Sequence, residues 1–171
     1  TVITITQPAT LIWNAVTPVN VSCNGANNGS INANALGGVG AITYNLQPGA
    51  LTNVTGIFTN LAGNIYTLTA TDANGCSIST VINIIDPGVL TISNVNIVPP
   101  NCVPGNNGII TVTVAGGTAP FNYNIGAGNQ LSNVFNNVGQ GTYTITVTDA
   151  NNCTASSVIT VITPNSPLFT N

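Results

Sequence analysis

Tyr66-Thr67-Leu68-Thr69-Ala70-Thr71-Asp72-Ala73-Asn74-Gly75-Cys76 and Tyr143-Thr144-Ile145-Thr146-Val147-Thr148-Asp149-Ala150-Asn151-Asn152-Cys153 are one motif written twice, 77 positions apart. In the first six residues of each, apolar side chains alternate with threonine, the two-residue period of a strand buried on one face. Threonine on the other face keeps the β-branching that suits a pleated surface and offers water a hydroxyl. The five residues that follow break the alternation and read as a turn ending in cysteine. Working outward, the same register holds. Cys23 matches Cys102, Gly37-Gly38 matches Gly116-Gly117, and Tyr44 matches Tyr123, each 79 positions apart. After each late cysteine comes a closing run, Thr80 to Pro87 and Ser157 to Pro164. The chain is therefore a repeat of roughly 80 residues, present twice.

Ile110, Val112 and Val114 alternate with Thr111, Thr113 and Ala115 in the same way. Turn pairs such as Asn24-Gly25, Pro48-Gly49, Asn74-Gly75 and Asn107-Gly108 punctuate the runs. Short strands spaced by turns predict an all-β fold of two tandem immunoglobulin-like β-sandwich repeats, about seven strands each, with no substantial helix. The expected division is a strand at 1–8, repeat 1 at 9–87, repeat 2 at 88–164 and a tail at 165–171.

Composition narrows function. The 171 residues contain no Lys, Arg or His and only three acids, Asp72, Asp86 and Asp149; 2% are charged, where about 25% is usual. Without cations the chain cannot displace counterions from phosphates or form a basic membrane-surface patch, so nucleic-acid partners are excluded. No apolar run is long enough for a membrane helix, so membrane insertion is not expected. Three scattered aspartates, and nucleophiles with no His or Lys beside them, predict no catalysis and no cofactor. High Val, Ile and Thr content argues against disorder. A near-neutral surface favours association, because little self-repulsion holds copies apart.

Each repeat carries one early and one late cysteine, with no close pairing or histidine that would suit a metal. The expectation is intrarepeat bridges, Cys23–Cys76 and Cys102–Cys153, each closing about 50 residues and contributing on the order of 4 kcal/mol. Crosslinks between repeats or between chains are the other arrangement. Disulfides would place the chain in an oxidising, extracellular compartment. Tyr66 and Tyr143 look like tyrosine corners, in which the ring packs inward and the hydroxyl ties backbone. Asp72 and Asp149 are placed to accept amide hydrogen bonds in the turn, and calcium is not expected there with one carboxylate per turn. Trp13, the only Trp, lies soon after Pro8; core packing, packing between repeats and an exposed contact are all open to it, with packing between repeats favoured. Four N-x-S/T sequons, at Asn20, Asn28, Asn53 and Asn152, arise readily in an Asn- and Thr-rich chain.

The succession Ser22-Cys23-Asn24-Gly25, Gly29-Ser30-Ile31, Gly37-Gly38, Tyr44 and then Tyr66 through Asp72-Ala73-Asn74-Gly75-Cys76 resembles the SprB-type repeat. The resemblance extends over most of both copies, with the late Tyr-to-Cys stretch its most distinctive part. It implies a large secreted adhesin of gliding and other Bacteroidota, a cell-surface location, and a role in attachment or fibre building. It supplies no ligand site. Asn101-Cys102-Val103-Pro104 departs from the pattern, and the absence of Lys and Arg exceeds what the family requires.

Thr1 to Pro8 matches the closing runs at 80–87 and 157–164, giving three closing strands for two bodies. Val2, Ile3, Thr4 and Ile5 are thus expected either to belong to a neighbouring repeat of a longer array or to be donated to another subunit's sheet. The leading expectation is a protease-resistant structural fibre or adhesin segment whose partners are copies of itself or adjacent repeats. A carbohydrate-binding module, with surface glycans as partners, is the alternative, and ice binding by Thr-x-Thr faces a weaker one.

Overall fold

A computed structural model describes Ile3 and residues 7–101 and 105–164, and the structural statements below concern these residues. The chain divides into two compact units, Thr1–Asp86 and Pro87–Asn171. Both are all-β, and no helix occurs among the described residues.

The first unit contains β1 (Ile12–Val19), β2 (Gly29–Leu36), β3 (Thr43–Gln47), β4 (Leu51–Asn53), β5 (Ile57–Leu61), β6 (Asn64–Thr71) and β7 (Ser77–Ile84). They form two antiparallel sheets, ordered β1-β2-β5 and β4-β3-β6-β7. Seven strands divided this way, with the chain crossing between sheets after β2, β4 and β5, is the immunoglobulin-like sandwich. The threonine alternation decides which face goes in: Tyr66, Leu68 and Ala70 are buried while Thr67 faces out. Ile31, Ala33 and Ala35 of β2 meet them, and Leu46, Phe58, Leu61, Ile82 and Ile84 complete the core. Each fully buried Leu or Ile contributes roughly 1.5–3 kcal/mol of transfer free energy.

The second unit contains β8 (Thr91–Val98), β9 (Gly108–Ala115), β10 (Asn122–Asn124), β11 (Val134–Val138), β12 (Gly141–Thr148) and β13 (Thr154–Val161), in sheets β11-β9-β8 and β10-β12-β13. Ile110, Val112, Ile145, Val147 and Val161 are its most deeply buried residues. Six strands are found here where about seven are expected. The counterpart of β4 is reduced to a single bridge between Tyr123 and Gln130. Gly126 and Gly128 lie between, both with φ near +103°, a conformation that ends the extended run.

One device recurs in both units. Phe58 and Leu61 are both buried though three residues apart, which a regular strand forbids. Asn60 adopts φ 57°, and its counterpart Asn137 adopts 59° between Phe135 and Val138. Asparagine tolerates this left-handed conformation, and the pairing register shifts there in each unit.

Two expectations are corrected. Cys76 is a free, exposed thiol, so Cys23 and Cys76 are not bridged, although Cys23 is disulfide-bonded. The reason is position. The loop between β1 and β2 that carries Cys23 docks beyond the far end of β7: the Val21 amide donates to the Ile85 carbonyl (3.3 Å) and the Gly25 amide to the Asp86 carboxylate (3.1 Å). Cys76 precedes the near end of β7. Eight residues at about 3.3 Å each separate them by about 26 Å, against the roughly 7 Å a disulfide spans between Cα atoms. The second concerns Trp13: of the three places open to it, the favoured one gives way to core packing, since it packs against the first unit's own core with its ring 6.2 Å from that of Tyr44.

Candidate functional site

The late motif builds the same loop at one end of each sandwich. Asp72 follows β6, and its carboxylate accepts hydrogen bonds from the amides of Val39, Asn74 and Cys76, each at 2.9 Å. Asp149 follows β12 and accepts from Thr118, Asn151 and Cys153, again each at 2.9 Å. The backbone closes the turn: the Asp72 amide donates to the Cys76 carbonyl and the Asp149 amide to the Cys153 carbonyl, both at 2.9 Å. Both aspartates are buried. A carboxylate is buried at tolerable cost only where amides replace its water, and here three do so. The Val39 amide holds the Asp72 carboxyl below the usual carboxylate range, against burial and with further help from the amides of Cys76, Asn74 and Gly75.

The paired glycines make room for this loop. Gly37 and Gly116 have φ of 85° and 68°, and a Cβ on either would fall 2.1 Å from the Thr10 carbonyl oxygen or 2.0 Å from that of Val89. A Cβ on Gly38 would fall 2.8 Å from an Asp72 carboxylate oxygen. The motif Gly-Gly and the motif Asp-Ala-Asn-x-Cys, about 35 residues apart in sequence, are thus two halves of one structure.

Asp86 is the residue that sequence reasoning passed over. It follows β7 and receives the Gly25 amide, so it fixes the loop carrying Cys23. Every acid in the chain therefore binds backbone amides of a cysteine-bearing loop. With no motif around it, Asp86 could have been found only by asking where each of three rare charges goes.

Tyr66 donates its hydroxyl to the Ala62 carbonyl and Tyr143 to that of Gly139, both at 3.1 Å. Tyr44 ties the sheets differently: its hydroxyl oxygen accepts the Ala35 amide at 3.0 Å. Three of the sequon asparagines are engaged in hydrogen bonds, two of them within their own loops. The Asn20 side chain accepts the Ile85 amide, Asn28 bonds Ser22, and Asn53 accepts the amides of Thr55 and Gly56.

Of the four cysteines, Cys23 and Cys153 are disulfide-bonded and Cys76 is a thiol. Cys102 lies outside the described residues. The expected Cys102–Cys153 bridge therefore lies partly outside the described residues. Of the expected assembly strand, Val2, Thr4 and Ile5 lie outside the described residues; Ile3 is 83% exposed and in no strand. Among the described residues, no three His, Cys, Asp or Glu side chains gather to hold a metal, and no helix is long and apolar enough to cross a membrane.

Fold and loops together define tandem immunoglobulin-like sandwich repeats whose rare charges organise cysteine loops. The family model described as SprB repeat matches residues 15–51 and 94–130, one stretch in each unit. The matches cover the early half of each unit, from within β1 to β4 and from within β8 past β10, and the late Tyr-to-Cys stretch lies beyond them. Among solved structures, the C-terminal 282-residue fragment of intimin, in complex with the intimin-binding domain of the translocated intimin receptor, is similar at 16% identity with a TM-score of 0.48. The match covers 90% of this chain and 64% of that fragment. No curated protein sequence matches the chain.

Proposed function

We propose that the chain is a structural segment of an extracellular fibre or surface adhesin, in which the sandwiches assemble with further copies and residues 1–8 add to a neighbour's sheet. The observation that carries this reading is the outer face of the closing strands. β7 and β13 are edge strands, and a valine on each and an isoleucine just past its end are exposed: Val81 and Ile85, repeated as Val158 and Ile162, all more than half exposed. Soluble proteins guard such edges with lysine or other charges. This chain has no lysine, and its aspartates are turned into loops. An unguarded apolar edge repeated at the same register suits addition of another strand.

Residues 1–8 repeat the closing-strand pattern and are the natural added strand. The site of export, on the surface of a Bacteroidota cell, follows from the SprB resemblance and belongs to this proposal. Sedimentation of the full chain and of the chain lacking residues 1–8 tests it. Assembly of the first and loss of assembly in the second is expected. Assembly that survives the deletion unchanged would rule out donation by this strand, and specific glycan binding by a chain that stays monomeric would replace the fibre reading with the lectin one.

A further inference from the structure

The two sandwiches share a framework but differ where the first has β4. In the first unit β3 runs on through Leu46 to Gln47 and pairs with both β4 and β6, and Leu46 and Tyr66 are buried. In the second, β10 ends at Asn124, and the residues that follow, with Gly126 and Gly128 at φ 103°, build no counterpart of β4. Ile125 and Tyr143, at the positions of Leu46 and Tyr66, are only half-buried. They line an open cleft of about 340 Å³ together with Gln130, Phe135, Asn136 and Asn137. That volume falls within the range of small-ligand sites, about 300–1,000 Å³.

The lining is of two kinds. Ile125, Phe135 and the Tyr143 ring are apolar. The ring is fixed, because its hydroxyl donates to the Gly139 carbonyl at 3.1 Å. Gly141 leaves its flank bare: a Cβ there would lie 3.5 Å from the ring, and the first unit has Asn64 at this position. The remaining lining is carboxamide. Gln130 is pinned by donating to the Ser132 and Val134 carbonyls, both at 2.8 Å, which leaves its side-chain oxygen to accept. Asn124, Asn129 and Asn133 bond the chain's own groups, whereas Asn136 and Asn137 stand exposed on β11. No charge lines the cleft, and Asp149, the one acid of this unit, is buried beyond the far end of β12. An ion would therefore find no counter-charge, and a wholly apolar ligand would leave the carboxamides without partners. A pyranose ring meets both demands, with a C–H face for the aromatic wall and hydroxyls that donate and accept as carboxamides do. We propose that this cleft binds a neutral hexose of a glycan, its C–H face on Tyr143 and its hydroxyls on Asn136, Asn137 and the Gln130 oxygen.

This site does not depend on the fibre reading. Saturation-transfer NMR of the full chain with neutral oligosaccharides of glucose, galactose, mannose and N-acetylglucosamine tests it. Saturable binding of at least one of them near about 1 mM is expected for a single ring in the cleft, with transfer strongest to the C–H protons of one ring face. Asn136→Ala, at an exposed position, and Asn137→Gly, which suits the φ of 59° at that residue, should each weaken binding at least about tenfold. Asn60→Gly, the matching change in the first unit, should leave it unaltered. No binding by any of these sugars well above about 1 mM, binding undiminished in both Asn136→Ala and Asn137→Gly, or an equal loss in Asn60→Gly would overturn the assignment. Binding confined to acidic glycans would overturn it too. Sugar binding by a chain that forms filaments supports both readings, and sugar binding at this cleft without filaments supports this one while removing the fibre.

Discussion

Asp72 keeps its charge inside a loop because three amides take the place of water. Its carboxyl titrates below the usual value in the folded chain, chiefly through the Val39 amide. An unfolded aspartate titrates near pH 3.9, so in the interval below that value the unfolded state holds more protons than the folded one. The stabilisation is therefore present above about pH 4 and disappears as pH falls through the folded pKa. Melting temperatures recorded from about pH 5 to pH 2 should fall more steeply for wild type than for Asp72→Asn, which cannot lose that charge; parallel curves would remove Asp72 as the origin. In the core, Leu68 is fully buried between the sheets, and Leu68→Ala should cost about 2–5 kcal/mol in urea unfolding. At this scale local chemistry was readable: an aspartate bonding an amide two residues on needs only its own turn. Asp86 was not, because its partner Gly25 lies 61 positions away.

Elements show the same division between local and distant information. The threonine alternation placed β6 and β12, and the valine and isoleucine register placed β9, because period two is written in the residues themselves. The missing counterpart of β4 was also written there, in Gly126 and Gly128, but its meaning depends on a pairing with β10 that the sequence does not spell out. Disulfide pairing is the extreme case: cysteine spacing says nothing of which end of a sandwich each sulfur occupies, and the length of β7 decided against Cys23–Cys76. The Gly-Gly turn makes an element-scale prediction. Gly37→Ala forces a left-handed backbone and a 2.1 Å approach to the Thr10 carbonyl. A loss of about 1–3 kcal/mol from the backbone conformation alone is expected, read as a lower urea midpoint for the first unit; a midpoint equal to wild type would contradict this account of the turn.

For the molecule as a whole, near-absence of charge is the property that most separates this chain from an ordinary soluble protein. Its three carboxylates sit in cysteine loops, so association between copies has apolar contact and backbone pairing to draw on, and almost no ion pairing. Salt screens charge and leaves these terms in place. Assembly followed by light scattering should therefore be nearly unchanged between about 0.01 and 1 M salt, where the screening length falls from about 30 to 3 Å. Dissolution at high salt would point to ionic contacts that this sequence has little means to make. The central claim is self-assembly, and negative-stain microscopy of the purified chain in oxidising buffer tests it most directly. Unbranched filaments with a regular axial repeat are the predicted result; separate single-chain particles at every concentration would contradict it.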